Sequence, residues 1–342
     1  MTWKECADGL GTTNAVYIKS RFAVCSGASF FQTWTVNGRP SGESAFNIRV
    51  VGTIPLNSRT ITYTYYYTEF QMTGTTGAPA MGVTTSGTIP FMYPSTAKSK
   101  QAGTALPTTK TFTQLKTAGT FAQTQNAAAG QGTSGSTDAI FGVYQPKVNL
   151  TPPAGYTMEG AREGSPFMFA PRWDKASYLN SSTTGAAVFS LLTPMRYSKA
   201  AGAPERAVAL HIEKAFKTPN LTKPPSSTKK VPGKTTDAPL TRLYTDTKRR
   251  EANRSEAIKA CKKYFGADYP TGGNDCDEYP FATTYEGAAG ALYDPHQLTN
   301  NFSVMPLNAT QNQAAGILLG QFLTKVRLID GPDDGFLVQI TP

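Results

Sequence analysis

The clearest pattern along the first two-thirds of the chain is alternation. Ile61-Thr62-Tyr63-Thr64-Tyr65-Tyr66-Tyr67 places large side chains at every second position before it turns continuously aromatic, the period of a half-buried strand. Phe46 to Val50 repeats it, and Val208, Leu210 and Ile212 repeat it again, which puts His211 in a strand as a structural residue. Phe30 to Val36 and Ala187 to Leu192 are further strand candidates. Gly, Pro, Ser and Thr fill the intervals and supply turns. Short strands without helical periodicity between them predict an all-β, sandwich-like domain over residues 1–215. Within it, residues 118–137 are small and polar and predict a loop. Residues 216–240, rich in Pro, Lys, Ser and Thr with little to bury, predict an extended linker.

The pattern changes beyond 240. Thr245 or Asp246 can cap a helix that Gly266 stops, with Ile258, Cys261 and Phe265 as its inner face. A second helix is expected from about Gln311 to Val326, with Ala315, Leu318, Leu319 and Phe322 as its apolar stripe. Phe302 to Leu307 and Gly335 to Ile340 read as strands. Residues 241–342 are therefore expected to form a small α+β domain.

Charge and cysteines refine this picture. The net charge is +10. Residues 1–215 carry 18 basic against 10 acidic side chains, 216–240 carry 5 against 1, and 241–342 carry 10 against 12. The basic excess thus lies outside the last domain, an arrangement that suits a polyanionic partner: DNA or an anionic cell-wall polymer for the first domain. The four cysteines fall into two local pairs, Cys6 with Cys25 and Cys261 with Cys276, neither spaced as a zinc or redox Cys-x-x-Cys. We read one disulfide per domain and an oxidising destination, with four buried thiols as the alternative. No apolar run reaches the ~20 residues of a membrane span. The first twenty residues lack the pattern of a signal peptide, so export is expected as part of a longer protein or by a route without such a signal.

Candidate chemistry concentrates between 275 and 286, where Asp275, Asp277, Glu278 and Glu286 stand close in sequence. Hydrolysis of a phosphodiester needs a base for water and a divalent cation to stabilise developing charge, and Mg²⁺ or Mn²⁺ prefers such oxygen ligands. A solvated acidic turn is the alternative from composition alone. Asp275-Cys276-Asp277-Glu278-Tyr279-Pro280-Phe281-Ala282, followed by Glu286-Gly287-Ala288, resembles the signature of the NucA/NucB family of extracellular bacterial deoxyribonucleases. Supporting elements are Gln311-Asn312-Gln313-Ala314-Ala315-Gly316, the closing Asp330-Gly331, and the upstream Arg249, Arg250 and Arg254. The resemblance covers about 241–342.

It implies a ββα-metal type of site in which an aspartate replaces the usual histidine base. On that reading Asp277 is the general base, Glu278, Glu286 and Asn312 hold or surround an Mg²⁺ or Mn²⁺ ion, and Arg254 and Arg250 contact DNA phosphates. A DNA endonuclease, secreted or delivered as an effector or toxin, is implied, with a delivery apparatus and an immunity protein as expected partners. The chain departs from the family at Gln311, where an acidic residue often precedes the asparagine, and its 311–326 helix carries no carboxylate. Gln321, water or Glu286 would have to substitute. The alternative is a non-enzymatic surface or DNA-binding protein carrying a degenerate nuclease domain. His296 is expected to be an ordinary loop residue.

Overall fold

Tyr63, Tyr65 and Tyr67 all face inward, as their alternation requires, and the strand that carries them organises the first half of the molecule. The structure is a computed structural model describing residues 1–12, 15–133 and 137–342. The chain divides into two compact units, Met1–Ser190 and Leu191–Pro342.

The first unit is built from two antiparallel sheets. One has the order β1 (Val16–Ser20), β2 (Ala23–Val36), β3 (Arg39–Thr53), β4 (Ile61–Gly74), β8 (Thr120–Ala127), β6 (Ser99–Gly103), with β10 (Tyr156–Gly160) also on β2. The other runs β13 (Ala186–Phe189), β12 (Pro171–Asp174), β9 (Ile140–Thr151), β5 (Gly82–Tyr93), β7 (Thr108–Thr111), with β11 (Glu163–Gly164) on β9. Their inner faces share an aromatic core: Tyr63 stacks on Tyr144 at 3.5 Å, and the Tyr65 and Tyr144 hydroxyls bond at 2.5 Å. Two short helices, α1 (Trp3–Leu10) and α2 (Phe112–Ala118), flank the sheets, and a disulfide joins Cys6 of α1 to Cys25 of β2.

The polar segment expected to be a loop at 118–137 contains strand β8. Its inward positions are Phe121, Gln123, Gln125 and Ala127, so half of its buried face is glutamine. Gln123 satisfies its amide by donating to Gly87 O at 3.2 Å and accepting from the Tyr144 hydroxyl at 2.7 Å, and Gln125 donates to Gln123 at 3.3 Å. A hydrogen-bonded polar core face carries no hydrophobic alternation to read. Residues 134–136 of the expected loop lie outside the described residues.

The second unit starts some 25 residues before the boundary expected at 215. Its central strand is β18 (Gly335–Thr341), which pairs in parallel with β14 (Thr193–Ser198) and antiparallel with β15 (Leu240–Thr241). Residues expected to belong to the first domain therefore complete the sheet of the second. Strand β14 is followed by helix α3 (Arg206–Lys217), where alternation suggests a strand. Val208, His211, Ile212 and Ala215 are buried at helical spacing while Leu210 is exposed, so the 3.6-residue period governs.

The segment expected to be an extended linker at 216–240 is laid against this unit by backbone bonds. Val304 N donates to Lys223 O, Val338 N donates to Gly233 O, and the Tyr279 hydroxyl donates to Pro232 O at 2.9 Å. Lys229 is buried with its ammonium on Thr222 Oγ1 and Pro224 O, and burial holds it down at about 8. With each of these backbone groups paired to the second unit, the segment does not behave as a solvated coil.

Helix α4 (Thr247–Phe265) is capped by the Asp246 carboxylate on Arg249 N and ends at Gly266. Its inner face is Asn253, Ala257, Ala260 and Cys261; Ile258 and Phe265 of the expected face are exposed. Small side chains let the helix approach the antiparallel pair β16 (Asn274–Tyr279) and β17 (Ser303–Asn308). After β16 comes the short α5 (Gly290–Tyr293), and β17 leads directly into α6 (Ala309–Lys325), whose cap is Asn308, bonding Thr310 N and Gln311 N. The core between α3, α6 and the β14–β18–β15 sheet contains Tyr197, Val208, Ile212, Phe281, Leu319 and Phe336. A smaller α+β unit thus follows a β-rich one along the chain.

Candidate active site

Among the described residues strand β16 pairs with β17 alone, and its residues Asn274 to Glu278 line a cavity of about 930 Å³. Asp275, Asp277 and Glu278 of the strand, Arg254 and Ile258 of α4, and Asn312 and Gly316 of α6 all line it. Three things hold β16 in place. It pairs with β17, with Asp277 opposite Met305 and Glu278 opposite Val304. The Cys261–Cys276 disulfide ties it to α4 one residue before Asp277. The buried Asn253 of α4 donates to Ala282 O and Thr284 O and accepts from Ala289 N, which fastens the loop beyond it. Gly287 in that loop packs so closely on Asn253 that a Cβ would lie 2.4 Å from its amide nitrogen, which explains the glycine of the Glu286-Gly287-Ala288 turn.

Asp277 is buried, and its Oδ2 accepts from His211 Nδ1 at 2.5 Å. The other ring nitrogen of His211 meets Ser303 Oγ at 2.7 Å. Tyr197 lies close by with its hydroxyl on Ala315 O at 2.9 Å; burial, and then the charge of Asp277, push that phenol well up. Glu278 is partly covered as a residue, but its carboxyl sits deep among protein atoms. Burial, and next the neighbouring Asp277 charge, raise it to about 8, opposed by the Arg254 guanidinium and the Ala282 N–H. The carboxylates of Asp275, Asp277 and Glu278 therefore line one cavity, with Arg254 as the cation among its lining residues.

Glu286, expected beside the metal, does not line the cavity. Its two oxygens accept from Thr241 N at 2.9 Å and Thr241 Oγ1 at 2.6 Å. Burial raises it against those bonds and the Arg249 charge, and its position identifies it as the clasp of β15 to the turn. Arg250 also lies outside the cavity lining, with its guanidinium 5.5 Å from the centre of the Tyr244 ring. Arg249 is held between the Tyr285 and Tyr293 rings at 4.8 and 5.0 Å. Of the three arginines, only Arg254 reaches the cavity.

Gln311 serves the fold, because its Oε1 accepts from Ala207 N at 2.8 Å and so caps the first turn of α3, where Glu205 supplies no side-chain cap. His211 is the residue that alternation hides. Read at helical spacing with Val208, Ile212 and Ala215, it is a buried histidine on a core-facing helix, a position that demands polar partners.

Among the described residues, no three His, Cys, Asp or Glu side chains converge to hold a metal by themselves. The cavity offers oxygen ligands, carboxylates from Asp275, Asp277 and Glu278 and amides from Asn274, Asn312 and Gln313, while Cys276 in its lining is held in a disulfide. Such a set suits an open site for a hard cation that keeps much of its water, and not a closed cage or a soft-metal site. No helix is long and apolar enough to cross a membrane, among the described residues. No curated protein and no solved structure matches the chain. The family model described as Deoxyribonuclease NucA/NucB matches residues 227–334, the C-terminal region that carries Asp275, Asp277, Glu278, Arg254 and Asn312 of the cavity, and the N-terminal region has no family match.

Proposed function

We propose that the second unit is a DNA endonuclease of the ββα-metal type, assisted by Mg²⁺ or Mn²⁺. The observation that carries this reading is the convergence of Asp277, Glu278, Arg254 and Asn312 on one cavity inside the family-matched region. Asp277 is the general base. His211 occupies its Oδ2, no other hydrogen bond to it forms among the described residues, and Oδ1 is left to take a proton from water. Arg254 offers a planar guanidinium to two phosphate oxygens and fixes the scissile group over the strand. Glu278 and Asn312 would hold the cation, which when bound stabilises the charge developing on the phosphate. The enclosed Glu278–Asp277 pair supports this assignment, since carboxyls crowded to this degree gain most from a cation.

The disulfides suit an oxidising, extracellular destination. The β-rich first unit then serves as a binding or delivery module of an effector, a role in which an immunity protein is the expected partner. Supercoiled plasmid, incubated under oxidising conditions with Mg²⁺ or Mn²⁺, is expected to be nicked by the wild type. EDTA and Asp277→Ala should each abolish nicking. Equal inertness of wild type and Asp277→Ala with either metal would sink the enzyme reading in favour of a degenerate, DNA-binding domain. The Gln311 side chain, turned to capping α3, is the observation on that side.

A further inference from the structure

We propose that His211 is the positioning residue for Asp277, so that the catalytic unit includes α3, upstream of the segment 227–334 that the family model matches. The inference rests on the nuclease reading above. A carboxylate can only accept, so the bond from His211 to Asp277 Oδ2 fixes the ring proton on Nδ1. In the neutral ring Nε2 is then an acceptor, and Ser303 Oγ supplies its proton. Every polar atom of the imidazole is matched in a site where His211 is 2 % exposed and Ser303 0 %. The chain Ser303–His211–Asp277 is not a nucleophilic triad, because Ser303 is sealed within β17 and does not line the cavity.

The arrangement has a physical purpose. Asp277 stands buried on a two-stranded ribbon, beside Glu278. A charge-assisted bond from a buried ring restrains its rotamer, satisfies one oxygen and leaves the other for water. His211 is buried on the same helix as Val208, Ile212 and Ala215, and its ring is held at Nε2 by Ser303, which stands opposite Tyr279 across the β16–β17 pair.

Three full-length variants test this. In His211→Asn the amide N–H lies about where Nδ1–H was, in His211→Gln it lies nearer Nε2, and His211→Ala has no donor. Misplacing a reacting group by about 1 Å costs on the order of 100-fold. His211→Ala and His211→Gln should therefore lose roughly that factor in kcat with little change in KM for DNA, and His211→Asn should recover most of it. Wild-type kcat in His211→Ala overturns the proposal, as does equal loss in the Asn and Ala variants when both melt like the wild type.

The link can also be read without catalysis or substitution at 211. The chain has only two histidines, so ¹⁵N-imidazole spectra resolve His211 from the exposed His296. A ring protonated at Nδ1, with a signal displaced in Asp277→Asn, is expected. A ring protonated at Nε2 alone overturns the proposal whether or not the protein cuts DNA. Failure of the wild type to cut, with the expected tautomer present, defeats the nuclease reading alone.

Discussion

Replacing Glu278 with glutamine should stabilise the second unit at alkaline pH, in the absence of divalent cations, by several kcal/mol. The carboxyl is raised from 4.5 to about 8 by burial and by the Asp277 charge. At about 1.4 kcal/mol per pH unit, ionising it costs roughly 4–5 kcal/mol more in the folded unit than in the unfolded chain. The direction follows from proton counts. Below pH 4.5 both states hold the proton and the group is neutral in its effect on pH dependence. Between 4.5 and about 8 the folded state binds more proton than the unfolded one, so stability falls as pH rises, and it levels off above about 8.

Glutamine keeps the shape, cannot ionise, and should remove that slope. Wild type and Glu278→Gln are expected to diverge steadily from pH 5 to pH 8 in EDTA, by about 8–16 °C at most for a unit of roughly 150 residues. Thermal melts across this range, following the second unit's transition, measure it. Adding Mg²⁺ or Mn²⁺ at pH 8 should restore stability to the wild type and leave the variant unmoved. Parallel melting curves for the two proteins from pH 5 to 9 would refute the enclosed-carboxyl argument. Equal response of both to the cation would remove Glu278 from the metal site.

Two further outcomes follow from the geometry. Arg254→Ala should lower kcat/KM for DNA about tenfold, near 1.4 kcal/mol, and Arg254→Lys should recover only part because it loses the planar fork; steady-state cleavage rates within twofold of wild type in Arg254→Ala would discard the phosphate clamp. Cys261 and Cys276 lie 15 residues apart in sequence, a loop whose closure is worth about 3 kcal/mol. The double serine variant should lose about that much in denaturant titrations of the second unit, and nicking should fall more steeply than stability because the strand beside Asp277 is no longer tied to α4.

How much of the fold is legible depends on whether burial is hydrophobic and local. Alternating aromatics disclose β4, and Asp246 and Gly266 disclose both ends of α4, because each signal lies within a few residues of what it specifies. Strand β8 escapes notice because its inward face places glutamine amides where apolar groups are expected. The boundary at 190 escapes for a different reason. What assigns β14 to the second unit is its pairing with β18, Met195 against Val338 and Tyr197 against Ile340, a register set some 140 residues away. Nothing local distinguishes Thr193–Ser198 from the strands before it.

The site shows the same division. Asp275, Asp277 and Glu278 are legible as neighbours because one strand carries them all to one cavity. Glu286 groups with them by sequence distance, yet the turn after β16 carries it to Thr241, where each of its oxygens accepts a hydrogen bond. His211 errs the other way: it is 66 residues from Asp277 in sequence and in direct contact with it in space. Val208, Leu210 and Ile212 satisfy a period of two and mask the period that matters, for only the helical reading puts His211 inside with Val208, Ile212 and Ala215. A buried histidine must find partners, and a buried aspartate must find a donor. The acidic run announces that a positive or proton-bearing group is needed beside it; the fold supplies that group from a helix whose sequence advertises only its packing.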